Sequence, residues 1–302
     1  MAFLVGTHID FLGKRRYTLV VSVILFILGL LAVFSIPIGK ANLGIDFAGG
    51  VAIQLKFEKP FTMEQMRGLL GEGGFKDADL QEFKEGNKLL VRLKTKEGDL
   101  QELTEGIKST FSEGLSENPF VIDSVSAVGP TVGKRLQRDA LLAVAISLLG
   151  ILLYVAWRFE FRFGIAAVVA TFHDVLAVLG IYYITNKEIN LLIITALLTL
   201  AGYSLTDTVV VFDRIRENLR RRGREGLEIL INRSINEVLR RTIVTSVTTL
   251  LVLLALFSFG GEVIHDFSLA LILGILVGTY SSIFVASPLL LLQKGRRGKL
   301  IR

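Results

Sequence analysis

Long uncharged apolar runs, separated by short charged links, make up most of this chain, and a single polar block interrupts them near the start. Six runs, at 17–38, 140–157, 163–184, 191–212, 242–259 and 267–292, are long enough to cross a bilayer core of roughly 30 Å as helices. Pro37 is expected to stop the first. Between the first and second runs the period changes. VAIQLKF (51–57) alternates as a strand and TMEQMRGLLGEG (62–73) follows a helical period. ADLQEF (78–83) and KLLVRLK (88–94) flank a turn at Glu85-Gly86-Asn87 and predict two further strands. A second helix is expected at 99–114 and a last strand at 119–129. The order βαββαβ is that of a split ferredoxin-like unit, and about 80 residues suffice for such a domain. The expected fold class is an α-helical membrane protein with six transmembrane helices and one α+β ferredoxin-like domain between the first two. The expected division is 1–38 for the N-terminus and first span, 39–135 for the α+β domain, 136–293 for the other five spans, and 294–302 for a basic tail.

Charge orients this plan. The chain carries +6 overall with a mean hydropathy of +0.57, yet residues 39–133 hold 15 acids against 11 bases. The rest is therefore strongly basic, and its bases group at Lys14–Arg16, at Arg158 and Arg162, over 214–241, and after Gln293. All four groups fall on one side of an alternating six-span topology. The positive-inside rule then places both termini in the cytoplasm and 39–135 outside. Lys134, Arg135 and Arg138 run against the bias, but they follow a long translocated segment, where the rule is weak. The arginine-rich stretch 214–241, with Glu217, Glu225, Glu228 and Glu237 interleaved, is expected to be an amphipathic helix on anionic lipid rather than a nucleic-acid surface. The first span lacks a small-x-small cleavage pattern and is expected to stay uncleaved. No cysteine is present, which removes disulfides and thiolate chemistry. GPTVGKR (129–135) has neither the spacing nor the Ser/Thr of a phosphate loop, so no ATP-driven enzyme, cofactor or metal site is expected.

Candidate chemistry lies inside the spans. A carboxylate in a spanning helix costs about 2.5–3.5 kcal/mol on insertion scales, so an acid there implies a compensating role. Asp207 is such an acid, and Thr195, Thr199, Tyr203 and Asp207 recur every four residues as a stripe. At 1.5 Å per residue Asp207 lies about 25 Å from the start of its span. Arg241, Thr245 and Thr249 form a second stripe on the next span, with Thr248 beside it, and an Asp207–Arg241 pair is expected if those spans are neighbours. Asp213, beside Arg214 and Arg216, has the simpler explanation of a surface ion pair. His173 and Asp174 at the middle of the third span serve either as polar glue between helices or in direct proton transfer. Ala270, Gly274, Gly278, Ser282 and Ala286 repeat at intervals of four and predict close helix packing, within the chain or against a partner. GIDFAGG (44–50) is turn-capable, and a plain linker turn is one explanation of its glycines.

Several of these stretches resemble one family. GIDFAGG, RFEFRFG, FHDVLAVLG, AGYSLTDTVVVFDRIREN, RRTIVTSVTTL and GTYSSIFVASPL are similar to the SecF family over essentially the whole chain. The resemblance implies half of an RND-type helix bundle in the bacterial inner membrane, completed by a SecD partner, with YajC as a further subunit and the SecYEG translocon with SecA nearby. It implies a proton-motive-force-driven device that helps an unfolded preprotein leave on the periplasmic side. By motif position it makes Asp207 the essential membrane acid and Arg241 and Thr245 its partners, with protons as the coupling ion; a carboxylate among threonines also suits sodium.

Two other readings compete. A proton-coupled exporter of small molecules on the same fold needs a large outer pocket, for which one block of about 80 residues is small. A passive assembly scaffold would use Asp207 and Arg241 only as a structural pair.

Overall fold

The computed structural model describes residues 8–83, 86–95, 100–115, 117–221 and 225–292. Residues 96–99, where the second soluble helix was expected to begin, Glu85 of the expected turn, and the tail 294–302 lie outside them. By their contacts the residues fall into two units. Leu43–Leu141 together with Glu188–Leu191 form the smaller, and the remaining described residues form the larger.

The smaller unit holds the predicted sheet. Strands β1 (Gly50–Phe57), β2 (Asp79–Phe83), β3 (Lys88–Lys94) and β4 (Phe120–Val128) lie in the order β2-β3-β1-β4, every neighbouring pair antiparallel. Alternation along β1 and β3 turns Val51, Ile53, Leu55, Leu89 and Val91 to one face. Two of the unit's helices, numbered α3 (Met63–Glu72) and α4 (Leu100–Gly114) in chain order, cover that face with Met66, Leu70, Ile107 and Phe111. Thr62 starts α3 by accepting the Gln65 N–H, an N-cap bond that satisfies an otherwise orphaned donor. Gly86 and Asn87, both at positive φ, turn the chain into β3, as their residue types allow. GIDFAGG forms one helical turn, α2 (Ile45–Ala48), between Gly44 and Gly49.

Among the described residues six helices are long and apolar enough to span a membrane. They are built on α1 (Arg15–Ile38), α5 (Pro130–Arg158), α6 (Phe161–Ile184), α7 (Leu191–Arg220), α8 (Leu227–Phe259) and α9 (Gly261–Ser281), the last continuing through a π-helical turn (Ser282–Ala286) into α10 (Ser287–Leu292). Pro37 does not stop α1. It sits one residue before the end, and Gly39 makes the stop in the left-handed region, its N–H reaching Ile36 O while the Lys40 N–H reaches Ser35 O. The GPTVGKR segment is the first turn of α5 rather than a loop, starting at Pro130 as a first helical position permits.

The stretch 214–241 is not a separate helix on a lipid surface. Its first part completes α7 and its last part begins α8, and Leu227, Leu230, Ile231 and Ile235 are buried in a core shared with Phe163, Phe212 and Ile215. An amphipathic pattern specifies an apolar face but not whether lipid or protein covers it. The charged face supports the hairpin instead: Arg214 pairs with Glu217 and Glu237, each at 2.6 Å, and Asn218 donates to Ser234 Oγ and Glu237.

The centre of the larger unit is α6, most of which is buried. It meets α1 where Gly29 and Gly180 cross: a Cβ on Gly180 would lie 2.7 Å from the Gly29 nitrogen, and one on Gly29 would lie 2.3 Å from the Leu176 carbonyl oxygen. On α9 the small-residue stripe seats against α7 of the same chain, with Leu200 filling the place of a Gly274 side chain and Ser204 that of a Gly278 side chain. Outward faces of α1, α5 and α8 expose Leu19, Ile24, Leu141, Leu149, Leu251 and Val252, as a surface meant for lipid or another apolar chain does.

Gly180→Ala places a methyl against backbone that cannot yield, and overpacking of this kind costs about 1–3 kcal/mol. The purified variant is expected to unfold at a lower temperature than Gly202→Ala, whose added methyl meets nothing within 4 Å.

Candidate functional site

Two apolar clusters divide the helix unit along its length. One gathers Phe163, Ala167 and Ala170 of α6 with Val211, Phe212 and Ile215 of α7; the other gathers Val175, Val178 and Tyr182 with Ile193, Leu197 and Leu200. Between them lies a layer of buried polar side chains. Thr171, His173 and Asp174 come from α6, Ser204, Asp207 and Thr208 from α7, Thr242 and Ser246 from α8, Ser281 from the end of α9 and Ser282 from the π-helical turn that follows it.

Asp207 is 5 % exposed. Its Oδ2 accepts the hydroxyls of Ser246 and Thr279, both at 3.5 Å, and those two hydroxyls lie 2.7 Å from each other. Three helices therefore meet at one carboxylate. Arg241 does not. It is exposed on α8, and no ion pair joins it to Asp207 among the described residues. It lines a groove of about 490 Å³ with Thr206, Val209 and Asp213 of α7 and Tyr154 of α5. Helix geometry explains the difference. Arg241 and Ser246 are five residues apart, which puts them about 140° apart around α8, so Ser246 bonds Asp207 while Arg241 stands on a different face.

The expected stripe on α7 divides for the same reason. A four-residue repeat drifts by about 40° per step, so Asp207 lies about 120° around the helix from Thr195. Thr195 and Thr199 are exposed, with the Thr199 hydroxyl on the Thr195 carbonyl, while Tyr203 bonds Thr249 of α8 at 3.3 Å. Thr245 and Thr248 are exposed and donate to carbonyls of their own helix. Asp213 has an ordinary surface explanation, with a partner other than its neighbours: Arg158, at 3.6 Å.

Asp174 is fully buried and holds the other side of the layer. Its Oδ2 accepts Ser204 Oγ at 2.5 Å and Ser281 Oγ at 2.7 Å, and its Oδ1 lies 3.0 Å from His173 Nδ1. Ser204 is one turn before Asp207, and Ser281 is two residues beyond Thr279, so one carboxylate fixes both neighbours of the other. His173 Nε2 and the hydroxyls of Thr171, Thr208 and Thr242 have no hydrogen-bond partner among the described residues. The π-helical turn begins directly after Ser281 and is closed by Ser287 Oγ on the Ser282 carbonyl. Such turns often mark functional sites, because they re-aim side chains without ending a helix.

Sequence reasoning did not single out Ser204, Ser246, Thr279 or Ser281. All four lie inside quoted motifs, but an isolated Ser or Thr in an apolar helix usually bonds its own backbone and carries no signal of a distant partner. Among the described residues no group of three or more acids and histidines is close enough to hold a metal. The donors facing Asp207 are hydroxyls.

The comparisons agree with this architecture. The family model for the C-terminal part of the SecD/SecF protein export membrane proteins matches residues 108–296, and the model for the SecD/SecF GG motif matches residues 34–61. The protein translocase subunit SecF of Thermodesulfovibrio yellowstonii is 58% identical over 95% of both chains, and that of Calditerrivibrio nitroreducens 45% identical over 96% of both. A crystal structure of SecDF, a translocon-associated membrane protein from Thermus thermophilus, matches with a TM-score of 0.85 at 40% identity. A second SecDF structure, in a super-membrane-facing form, matches with a TM-score of 0.70 at the same identity. Each match covers 98% of this chain but only 40% of the SecDF chain. The spans, the sheet domain, the GG turn and the near full-length similarity lead to one conclusion: the chain belongs to the SecF family of protein translocase subunits.

Proposed function

We propose that this chain works as the SecF half of a bacterial inner-membrane assembly, with SecD supplying the other half of the bundle and YajC as a further subunit. The assembly acts beside SecYEG and SecA and uses the proton motive force to draw an unfolded preprotein outward. Both termini lie in the cytoplasm in this reading, and the α+β domain lies in the periplasm. The observation that carries it is Asp207, a buried carboxylate at the meeting point of three spans whose nearest polar neighbours are hydroxyls.

The chemistry follows from those neighbours. While Asp207 is charged, Ser246 and Thr279 donate to it and hold α8 and α9 against α7. Once it takes a proton, its own O–H becomes a donor, and the hydroxyls must turn to accept or find other partners. Protonation thus changes which contacts hold the three helices together. Arg241, in the adjoining groove, responds to the charge without occupying the site, and Thr245, one turn further along α8, bonds the Arg241 carbonyl. Asp174 and His173 keep Ser204 and Ser281 in register. Tyr203 and Thr199 extend the polar path along α7.

Magnitudes fit a ratchet. One proton crossing the full field yields about 2.3 kcal/mol per 100 mV, enough to bias a conformational equilibrium of a few kcal/mol but not to unfold a stable domain. A small-molecule exporter finds no support, since the relatives named above are protein translocase subunits.

Asp207→Asn is expected to fold and to bind SecD but to abolish force-dependent stimulation of preprotein export in membrane vesicles. Wild-type stimulation in that variant sinks the proposal. Ser246→Ala combined with Thr279→Ala removes both donors and is expected to lower the stimulation about threefold, given the modest worth of long bonds to a charged group. Thr248→Ala, which removes a hydroxyl bonded only to its own helix, serves as the control and should leave it unchanged.

A further inference from the structure

The residues that lead into α7 cluster with the sheet rather than with the helices. Glu188–Leu191 belong to the smaller unit by their contacts, although α7 runs unbroken from Leu191 to Asp207 and on to Arg220. The GG turn makes the connection. Leu43 bridges Ile189, and the Gly44 N–H donates to the Ile189 carbonyl at 2.9 Å. Asp46 Oδ2 accepts the Leu191 N–H at 3.0 Å, a side-chain cap at the start of α7. Glu188 reaches Arg92 of β3 at 2.7 Å, with side chains 11% and 16% exposed, and Arg92 is braced by Gln81 at 3.0 Å and Asp79 at 3.7 Å.

The glycines of the turn are spatial requirements of that arrangement. A Cβ on Gly44 would lie 2.3 Å from Glu188 Oε1 and 2.9 Å from the Asn190 Cβ, and one on Gly50, at φ 140°, would lie 2.1 Å from the Leu93 carbonyl oxygen. The same turn holds the start of α5, where Gln137 Nε2 donates to the Phe47 carbonyl at 3.0 Å. This is more than a linker turn needs.

We propose that the Glu188–Arg92 ion pair, seated on the GG turn, is the joint that makes the start of α7 and strand β3 move together, so that a displacement of α7 at Asp207 is delivered to the sheet domain. The inference rests on the reading of Asp207 as the proton site. Asp207 lies sixteen residues beyond Leu191, about 24 Å along a continuous helix, and a helix of that length transmits an axial shift or a rotation better than a loop does. The ion pair is the part of the joint made by side chains alone. Burial pushes the Glu188 carboxyl above the ordinary range, with Asp79 and Asp46 adding to the push while Arg92 and Lys94 oppose it. Without Arg92, Glu188 loses the nearest group that keeps it charged.

The test uses the SecD-containing complex in membrane vesicles, read for proton current and for force-dependent export of a preprotein. Glu188→Arg and Arg92→Glu are each expected to keep the current within about twofold and to lose about tenfold of the export stimulation. The combined swap is expected to recover about half of it, because Asp79 beside position 92 opposes a new acid there. Glu188→Gln, which keeps the size and removes the charge, decides the matter if the reversed variants fail to assemble; it should lower export about threefold at unchanged current. Wild-type export in the single variants overturns the joint, as does a parallel loss of current and export, or a swap no better than either single change. Wild-type current in Asp207→Asn would instead overturn the proton-site reading and is scored separately.

Discussion

A carboxylate surrounded by hydroxyls in the middle of an apolar bundle is the constraint on which the rest of the helix unit depends. Burying a charge or an unpaired polar group there costs several kcal/mol unless partners are supplied from within. Asp174 obtains its partners from α7 and α9, and Asp207 from α8 and α9. The two apolar clusters on either side hold the helices at the spacing these bonds require. Replacing the layer by leucines would satisfy packing but would remove the hydrogen bonds that join α6, α7, α8 and α9.

Close approach of the helices serves the same end. Hydroxyls are short, so a Ser on one helix reaches a carboxylate on another only where backbones come near. Gly274 and Gly278 allow this between α9 and α7, and Gly29 and Gly180 allow it between α1 and α6. The π-helical turn after Ser281 then redirects the last part of the sixth span, so that Ile283, Ala286 and Leu290 join the apolar cluster beneath the polar layer.

Much of this was legible beforehand where a pattern has one physical solution. Apolar length fixes the spans, strand alternation and the order βαββαβ fix the sheet, and small residues at intervals of four announce close packing. The acids in the third and fourth spans were visible because a buried charge is costly wherever the helix lies. What failed were inferences from spacing alone. The four-residue stripe on α7 drifts around the helix, so that Thr195 and Thr199 are exposed while Asp207 is buried. The arginine-rich stretch has an amphipathic pattern compatible with lipid, but protein covers its apolar face.

By itself, then, the sequence determined the class of molecule, the number of spans, the domain between the first two and the acids worth attention, because hydrophobic length, period and the cost of buried charge are local properties. Only the tertiary structure decided which hydroxyls serve which carboxylate, that Glu188 belongs with a strand nearly a hundred residues earlier, and why Gly44 has no room for a side chain. Those are pairings between distant segments. A serine, an arginine or a glycine carries no mark in the sequence of the partner it will meet once the helices have packed.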